Sequence, residues 1–331
     1  MRICGSVAFH SRVCGIDWTS VTRPVPNARN REPIIRYLKV LLLGLLWAIA
    51  FILLHRLAPV FGASTVAFWR TLIGACILFV MGRGWRSAGE LRPHAASLTL
   101  LGMANVAAPF FLFSYASIFL PASHLSALNG LTPVFAILFC AMLYGEPIKL
   151  RQVFAICMLL SGLYSLADFH GASVKSANAG WASAVLGAMS YATAITMSRR
   201  FQGKLSSLAQ ACGSLVAASV LLAPFYAINQ SPYAGNDLLV DLLLLLLLGA
   251  ACTAGAALLL FHVISQEGPV FASMASALVG PLAAFIELGL DSEQPIAFGV
   301  FLVALAVLLV SKPARQSPWR GEPPQIQRTE N

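Results

Sequence analysis

The chain has 331 residues, of which 58% are hydrophobic and only 11% carry a charged side chain. A soluble globular domain carries about 25% charged residues, so this composition excludes a soluble fold and predicts an integral membrane protein. The formal net charge of +9 does not indicate a nucleic-acid partner, because the basic residues collect in loops on one side of the predicted membrane.

The chain begins with a polar, arginine-rich leader over residues 1–36, for which we expect disorder. It lacks the apolar region and the small-residue cleavage site of a secretory signal. Two other interpretations stay open: sequence upstream of the true start codon, and an organellar transit peptide. Residues 312–331 are also polar and proline-rich, and we expect them to form a cytoplasmic tail.

Between these ends the sequence predicts an all-α protein with ten transmembrane helices. A spanning helix needs roughly 17 to 25 mostly apolar residues, and breaks at Gly, Pro and charged clusters separate ten such runs. They lie near residues 40–57, 63–81, 95–116, 121–143, 150–167, 180–198, 205–227, 239–263, 269–289 and 295–311.

The distribution of basic residues tests this count, since cytoplasmic loops are enriched in Lys and Arg. With the N-terminus inside, the inner loops between spans hold Arg83, Arg86, Arg92, Lys149, Arg151, Arg199, Arg200 and Lys204, against Arg56 and Lys175 outside. This asymmetry predicts an even number of spans, with both termini in the cytoplasm. We expect a multi-pass protein of the cell inner (plasma) membrane.

The fourth and ninth spans carry the same proline pattern. Pro121, Pro133 and Pro147 match Pro269, Pro281 and Pro295, each at an offset of 148 residues. A second pair of segments, GLLWAIAFILLHR from Gly44 and GAMSYATAITMSR from Gly187, aligns at an offset of 143. Five spans separate the proline copies, so they cross the membrane in opposite directions. Inverted repeats of this kind are common in secondary transporters, whose substrate sites lie near the midplane between repeats.

The segment PASHLSALNGLTPVFAILFCAMLYGEPI, after Leu120, resembles the EamA repeat of the drug/metabolite transporter superfamily. The resemblance implies two inverted five-helix repeats, over residues 37–168 and 169–311, around a central cavity that exports or exchanges small metabolites. The second copy departs from the pattern, because Gln294 stands in place of Glu146 and Gly280 in place of Thr132. The motif indicates the fold but not the solute.

Arg70 is the one basic residue that lies well inside a predicted span, away from its ends. It lies some seven residues into the second span, or about 10 Å deep at 1.5 Å per residue, and Glu287 lies near the outer end of the ninth. A buried charge is costly in a bilayer. Arg70 either binds an anionic group of the solute, forms a gate or ion pair with Glu287, or has the structural role of holding a helix pair together.

Other polar and aromatic residues fall near the predicted midplane. Asn105, Asn129, Thr132 and Tyr191 lie within spans, and Trp47 is the repeat partner of the residue beside Tyr191. An amide in the bilayer is costly without a partner, so we expect Asn105 and Asn129 to face the interior. They either bind a small, flat or amphipathic solute, or bond and pack neighbouring helices.

Three prolines within spans, Pro109, Pro133 and Pro281, free backbone carbonyl groups. They are candidate hinges for alternating access, and kinks that only shape the packing are the alternative. The chain contains no Walker, HExxH or GxSxG motif, so the sequence indicates no catalytic residue, metal or cofactor.

These observations predict a secondary transporter of small organic metabolites, such as amino-acid-like solutes, acting in efflux. Its partners would be the solute and the lipid bilayer, and the chain would be a monomer or homodimer. A membrane-embedded enzyme acting on lipid-linked substrates and a sensor that transports nothing are the alternatives.

Overall fold

The computed structural model describes residues 33–82, 91–166, 174–201 and 204–288, together with Gly89 and positions 302, 303 and 306. This part of the chain is helical and contains no β-strand. Its helices are α1 Pro33–Phe61, α2 Ala63–Met81, α3 Arg92–Ala116, α4 in two halves (Ala122–Asn129 and Thr132–Tyr144), α5 Leu150–Leu166, α6 Val174–Met197, α7 Ser207–Ile228, α8 Leu238–Glu267 and α9 Pro269–Leu288.

These helices confirm a multi-pass, all-helical membrane protein. Six of them, α1 to α4, α7 and α8, contain a stretch long and apolar enough to cross a bilayer. Shorter apolar stretches occupy Leu150–Gly162 in α5 and Pro269–Ala283 in α9. Apart from three positions, the predicted tenth span at 295–311 lies outside the described residues, so the count of ten stays a prediction.

The first helix begins earlier than the sequence predicted. α1 starts at Pro33, so residues 33–36 of the predicted leader are helical, while residues 1–32 lie outside the described part. Proline suits the first position of a helix, because its φ angle is already helical and its missing N–H is not needed there. The first turn is also held by contacts: Arg36 lies 3.9 Å from Glu267 and 5.5 Å from the ring centre of Phe271.

Two helices contain a π-helical turn at corresponding positions. The turn in α3 covers Met103–Ala107 and the turn in α8 covers Ala250–Gly255, so their first residues are 147 positions apart. Each follows directly on a glycine, Gly102 or Gly249. A Cβ at Gly102 would lie 2.5 Å from the carbonyl oxygen of Ser214 on α7, and one at Gly249 would lie 2.7 Å from Cβ of Ile73 on α2. Both glycines therefore allow a close helix crossing, as small residues do in membrane bundles.

The helix contacts are arranged in matching pairs. α1 packs on α9 as α6 packs on α4; α3 packs on α6 as α8 packs on α1; and α3 packs on α7 as α8 packs on α2. α2 also packs on α7, and α4 on α9. If each helix is exchanged for the one five places along the chain, each of the three pairs is converted into itself with its two members swapped. The α2–α7 and α4–α9 contacts are unchanged by the exchange.

A cluster of hydrogen bonds and charges ties the C-terminal end of α1 to the start of α8. Arg56 lies 3.4 Å from the Asp241 carboxylate, and the hydroxyl of Tyr233 donates to the same carboxylate at 3.0 Å. The backbone N–H of Ala234 donates to the carbonyl of Val60. Partial desolvation raises the pKa of Tyr233, as do its hydrogen bond to Asp241 and the negative charge there. The loop between α7 and α8 is thus held against α1.

Asp241→Asn is expected to lower the free energy of unfolding by about 1 to 2 kcal/mol, because the buried amide cannot accept from both Arg56 and Tyr233 as the carboxylate does. Thermal unfolding in detergent would measure the change. Asp237→Asn is the matched control, since Asp237 is exposed and caps α8, a role that Asn performs equally well. Equal melting temperatures for the two variants would contradict the prediction.

Candidate functional site

A pocket lies among five helices. It is lined by Trp47, Ala50, Phe51 and Leu54 of α1, Arg70 of α2, Phe110 and Phe113 of α3, Asn129 of α4 and Tyr191 of α6. Its empty space, counted with the opening, is about 320 Å³. The lining combines aromatic and aliphatic side chains with one cation and one amide, a composition typical of ligand pockets.

Aromatic rings form one continuous wall of the pocket. Trp47 stacks on Tyr191, with ring centres 6.0 Å apart and an interplanar angle of 28°. Tyr191 stacks in turn on Phe113 at 5.9 Å, and Phe113 meets Phe51 edge-on at 5.1 Å. Stacked and edge-on rings at these distances stabilise one another. The wall therefore offers a rigid apolar surface to a flat or aliphatic group.

Arg70 supplies the positive charge of the pocket. It is only 4% exposed. Its Nε donates to Thr253 Oγ1 on α8 at 3.1 Å, and its guanidinium carbon lies 3.9 Å from the ring centre of Phe110. Within the described part of the chain no carboxylate pairs with it. The side chain of Glu287 lies outside the described residues, so the predicted pair of Arg70 and Glu287 stays a prediction.

The break in α4 determines where Asn129 lies. The first half of the helix ends at Asn129 and the second begins at Thr132, whose hydroxyl donates to the Asn129 carbonyl at 2.7 Å. The Asn129 side chain is 1% exposed, and its Oδ1 has no hydrogen-bond partner among the described residues. A buried acceptor without a partner is costly, which keeps Asn129 a candidate for binding a hydrogen-bond donor of a solute.

The pocket thus brings together four of the six residues that the sequence singled out for binding: Trp47, Arg70, Asn129 and Tyr191. Thr132 is buried but donates its hydroxyl hydrogen to the Asn129 carbonyl. Asn105 is buried on the π turn of α3, where its Oδ1 has no partner in the described part of the chain. Neither lines the pocket, and for all six residues a role in binding stays a prediction.

The three candidate hinge prolines occupy different contexts. Pro109 follows the π turn of α3, Pro133 is the second residue of the second half of α4, and Pro281 lies inside α9. Two of them therefore adjoin an irregular turn. Motion about these positions stays a prediction.

Sequence reasoning missed Thr253, Phe51, Phe110 and Phe113. The three phenylalanines carry no signal that separates them from other apolar residues of a spanning helix. Thr253 is a polar residue within a predicted span, the same signal that singled out the asparagines. Thr253 and Arg70 are 183 positions apart in the chain, and nothing in either sequence segment indicates that they meet.

The fold defines a multi-pass helical membrane protein, with a mostly apolar pocket among five of its helices. Residues 34–167 match the model of the EamA-like transporter family. The resemblance predicted from the sequence is thereby confirmed over this segment, which corresponds to the first of the two predicted repeats.

The chain is also similar to a probable terminal-alkyne amino-acid exporter of Streptantibioticus cattleyicolor. The two are 25% identical over 276 residues, which cover 80% of this chain and 90% of the relative. A crystal structure of a protein superimposes with a TM-score of 0.67 and 17% identity, covering 85% of this chain and 97% of the other. At that identity the likeness shows the fold alone. Together, the family and the exporter support a membrane transporter of solutes rather than an enzyme.

Proposed function

We propose that this protein is a secondary transporter of small organic solutes, built from ten helices in two inverted five-helix repeats over residues 37–168 and 169–311. The repeats would move against each other and expose the central pocket to one side of the membrane and then to the other. The observation that carries the proposal is the pocket itself, whose lining combines aromatic side chains with a buried cation, Arg70, and a buried amide, Asn129, whose oxygen has no partner among the described residues.

The paired helix contacts support the two repeats. Within the described part of the chain, helices α1 to α4 each have a counterpart five places along that makes the equivalent contact. The two π turns, 147 positions apart, agree with the proline offset of 148 and the offset of 143 found in the sequence. Because the counterparts are separated by an odd number of spans, the second repeat would be inverted, as in many secondary transporters.

The chemistry of the pocket favours an anionic or zwitterionic solute with an apolar body. A guanidinium is suited to a carboxylate, because its fork of donors matches the two oxygens. The Oδ1 of Asn129 would accept from a donor such as an ammonium group, and the aromatic wall would hold an apolar side chain. The similarity to an amino-acid exporter supports an amino-acid-like solute and efflux from the cell.

The charge distribution supports the orientation. Basic residues flank the ends of the spans that would face the cytoplasm, so both termini would lie inside, in the inner (plasma) membrane. Two complete repeats in one chain would form the pocket without a second subunit, so either a monomer or a homodimer would be competent.

The proposal is tested by solute flux into proteoliposomes that contain the purified full-length chain. Labelled amino acids, related carboxylates and neutral amides would be supplied outside, with protein-free liposomes as the control. We expect saturable uptake of one or more carboxylate-bearing solutes and no saturable uptake of the amides. No uptake of any panel member by folded protein would contradict a carboxylate transporter, and preferential uptake of the amides would contradict the role of Arg70.

A further inference from the structure

We propose that Thr253 is a positioning residue for the solute site: its hydroxyl, held in place by the π turn of α8, orients the Arg70 guanidinium toward the pocket. The expected effect on transport rests on the proposed function. The pairing of Thr253 with Arg70 rests on the geometry alone. It assigns a role to a residue of α8, a helix that contributes no residue to the pocket lining.

The Thr253 hydroxyl can only be an acceptor toward Arg70. Thr253 is 2% exposed, and its Oγ1 donates to the Leu248 carbonyl at 2.8 Å. A hydroxyl has one hydrogen to donate and two lone pairs to accept with. Because the hydrogen is given to Leu248, the lone pairs remain for Arg70 Nε, which lies 3.1 Å away. Arg70 Nε is therefore the donor and Thr253 Oγ1 the acceptor in this contact.

The π turn makes this geometry possible. In a regular helix a threonine hydroxyl reaches the carbonyl three or four residues earlier, as Thr71 does with Ala67 and Thr196 with Ala192. Thr253 instead reaches Leu248, five residues earlier, which is the π-helical spacing. The wider turn redirects the side chain toward α2.

The glycine before the π turn brings the two helices close enough for the contact. A Cβ at Gly249 would lie 3.1 Å from the Arg70 carbonyl oxygen and 2.7 Å from Ile73 Cβ. Because glycine has no Cβ, the backbone of α8 approaches α2 at the level of Arg70. A single stretch, Gly249 followed by the turn Ala250–Gly255, thus supplies both the close approach and the acceptor.

The result is a guanidinium held at two places. Thr253 binds Nε, and Phe110 supports the flat face at 3.9 Å, while the side chain lines the pocket. The two terminal nitrogens make no hydrogen bond within the described part of the chain. A fork presented in this way matches a carboxylate with two parallel hydrogen bonds. Without Thr253 the charge would remain but its direction would not be fixed.

The first test compares Thr253→Val, which keeps the shape and removes the hydroxyl, with Thr253→Ser, which keeps the hydroxyl. For the carboxylate solute identified by wild-type flux, we expect Val to raise KM about tenfold with little change in kcat, since a hydrogen bond to a charged group contributes at least about that factor. Ser is expected to restore KM to within about threefold. A raised KM in both variants, or in neither, would overturn the positioning role.

The second test is a double-mutant cycle in which Thr253→Val is introduced into wild type and into Arg70→Lys. Lysine retains the charge but has no Nε donor to pair with the hydroxyl. Thr253→Val should therefore lower the melting temperature of wild type and change that of Arg70→Lys much less. Equal effects in the two backgrounds would overturn the pairing, whether or not the protein transports anything.

The two tests separate the inference from the proposed function. If the double-mutant cycle shows coupling but wild type transports no solute, the pairing of Arg70 with Thr253 is supported. The transporter, and the positioning role that depends on it, are then contradicted. If the cycle shows coupling but Thr253→Val leaves KM unchanged, the proposed transporter stands. The contact between Arg70 and Thr253 then has a structural role only.

Discussion

Arg70→Gln is expected to raise KM for a carboxylate-bearing solute by at least about 30-fold, the effect of removing one partner from a buried, hydrogen-bonded charge pair. Glutamine retains polarity but cannot supply the positive charge or the double donor that a carboxylate matches. Flux into proteoliposomes at varied solute concentration would measure KM and the maximal rate separately.

The melting temperature distinguishes a binding role for Arg70 from a structural one. Burying an unpaired cation costs free energy, so a variant without the charge should be at least as stable as wild type. Arg92→Gln is the matched control, because it makes the same chemical change at an exposed position of α3 and should leave KM unchanged. Loss of folded protein in Arg70→Gln, or unaltered flux, would indicate that Arg70 only holds helices together.

Gly102→Ala is expected to destabilise the protein by about 3 kcal/mol, the upper range for overpacking a well-packed core. The added Cβ would lie 2.5 Å from the backbone carbonyl oxygen of Ser214. A backbone atom cannot rotate away as a side chain can, so α3 and α7 would have to separate. Thermal unfolding in detergent, with size-exclusion chromatography to detect aggregation, would measure the loss.

The chain offers a matched control in Gly255→Ala. A Cβ there would lie 3.8 Å from its nearest neighbour, the Ala250 carbonyl oxygen, so the same added methyl group fits without strain. Alanine also has the higher helix propensity, so this variant should be as stable as wild type or slightly more stable. If Gly102→Ala melts at the temperature of Gly255→Ala, the close crossing of α3 and α7 is contradicted.

The repeat proposal extends this prediction to the second half. Gly249 precedes the π turn of α8 as Gly102 precedes that of α3, so Gly249→Ala should destabilise the crossing of α8 and α2 in the same way. Its nearest contact, Cβ of Ile73 at 2.7 Å, is fixed to the α2 backbone and cannot rotate away, so we expect a loss of similar size to that of Gly102→Ala.

The membrane class and most helix positions could be predicted from the sequence because a bilayer imposes a local rule. Every backbone group within it must be bonded internally, so a run of about 20 apolar residues becomes a helix whatever its neighbours are. The predicted start at residue 40 was late by seven positions. Arg36 and Lys39 interrupt the apolar run there, and the first turns of α1 are held by contacts with Glu267 and Phe271, which no local rule anticipates.

For the pocket too, the sequence could single out some residues, but the tertiary structure decided which of them meet. Arg70 and Asn129 could be singled out from the sequence, because a polar group in an apolar span is costly wherever it occurs, and the repeat alignment drew attention to Trp47 and Tyr191. Which of these residues meet was decided by helix crossings between distant segments. The π turn that directs Thr253 to Arg70 and the glycine that admits it depend on how α8 packs against α2, and they leave no periodic pattern in the sequence. The sequence by itself determined that the protein is helical, lies in a membrane and contains costly polar groups, because those follow from transfer free energies of single residues. Only the tertiary structure decided how Arg70 is held and where its charge points.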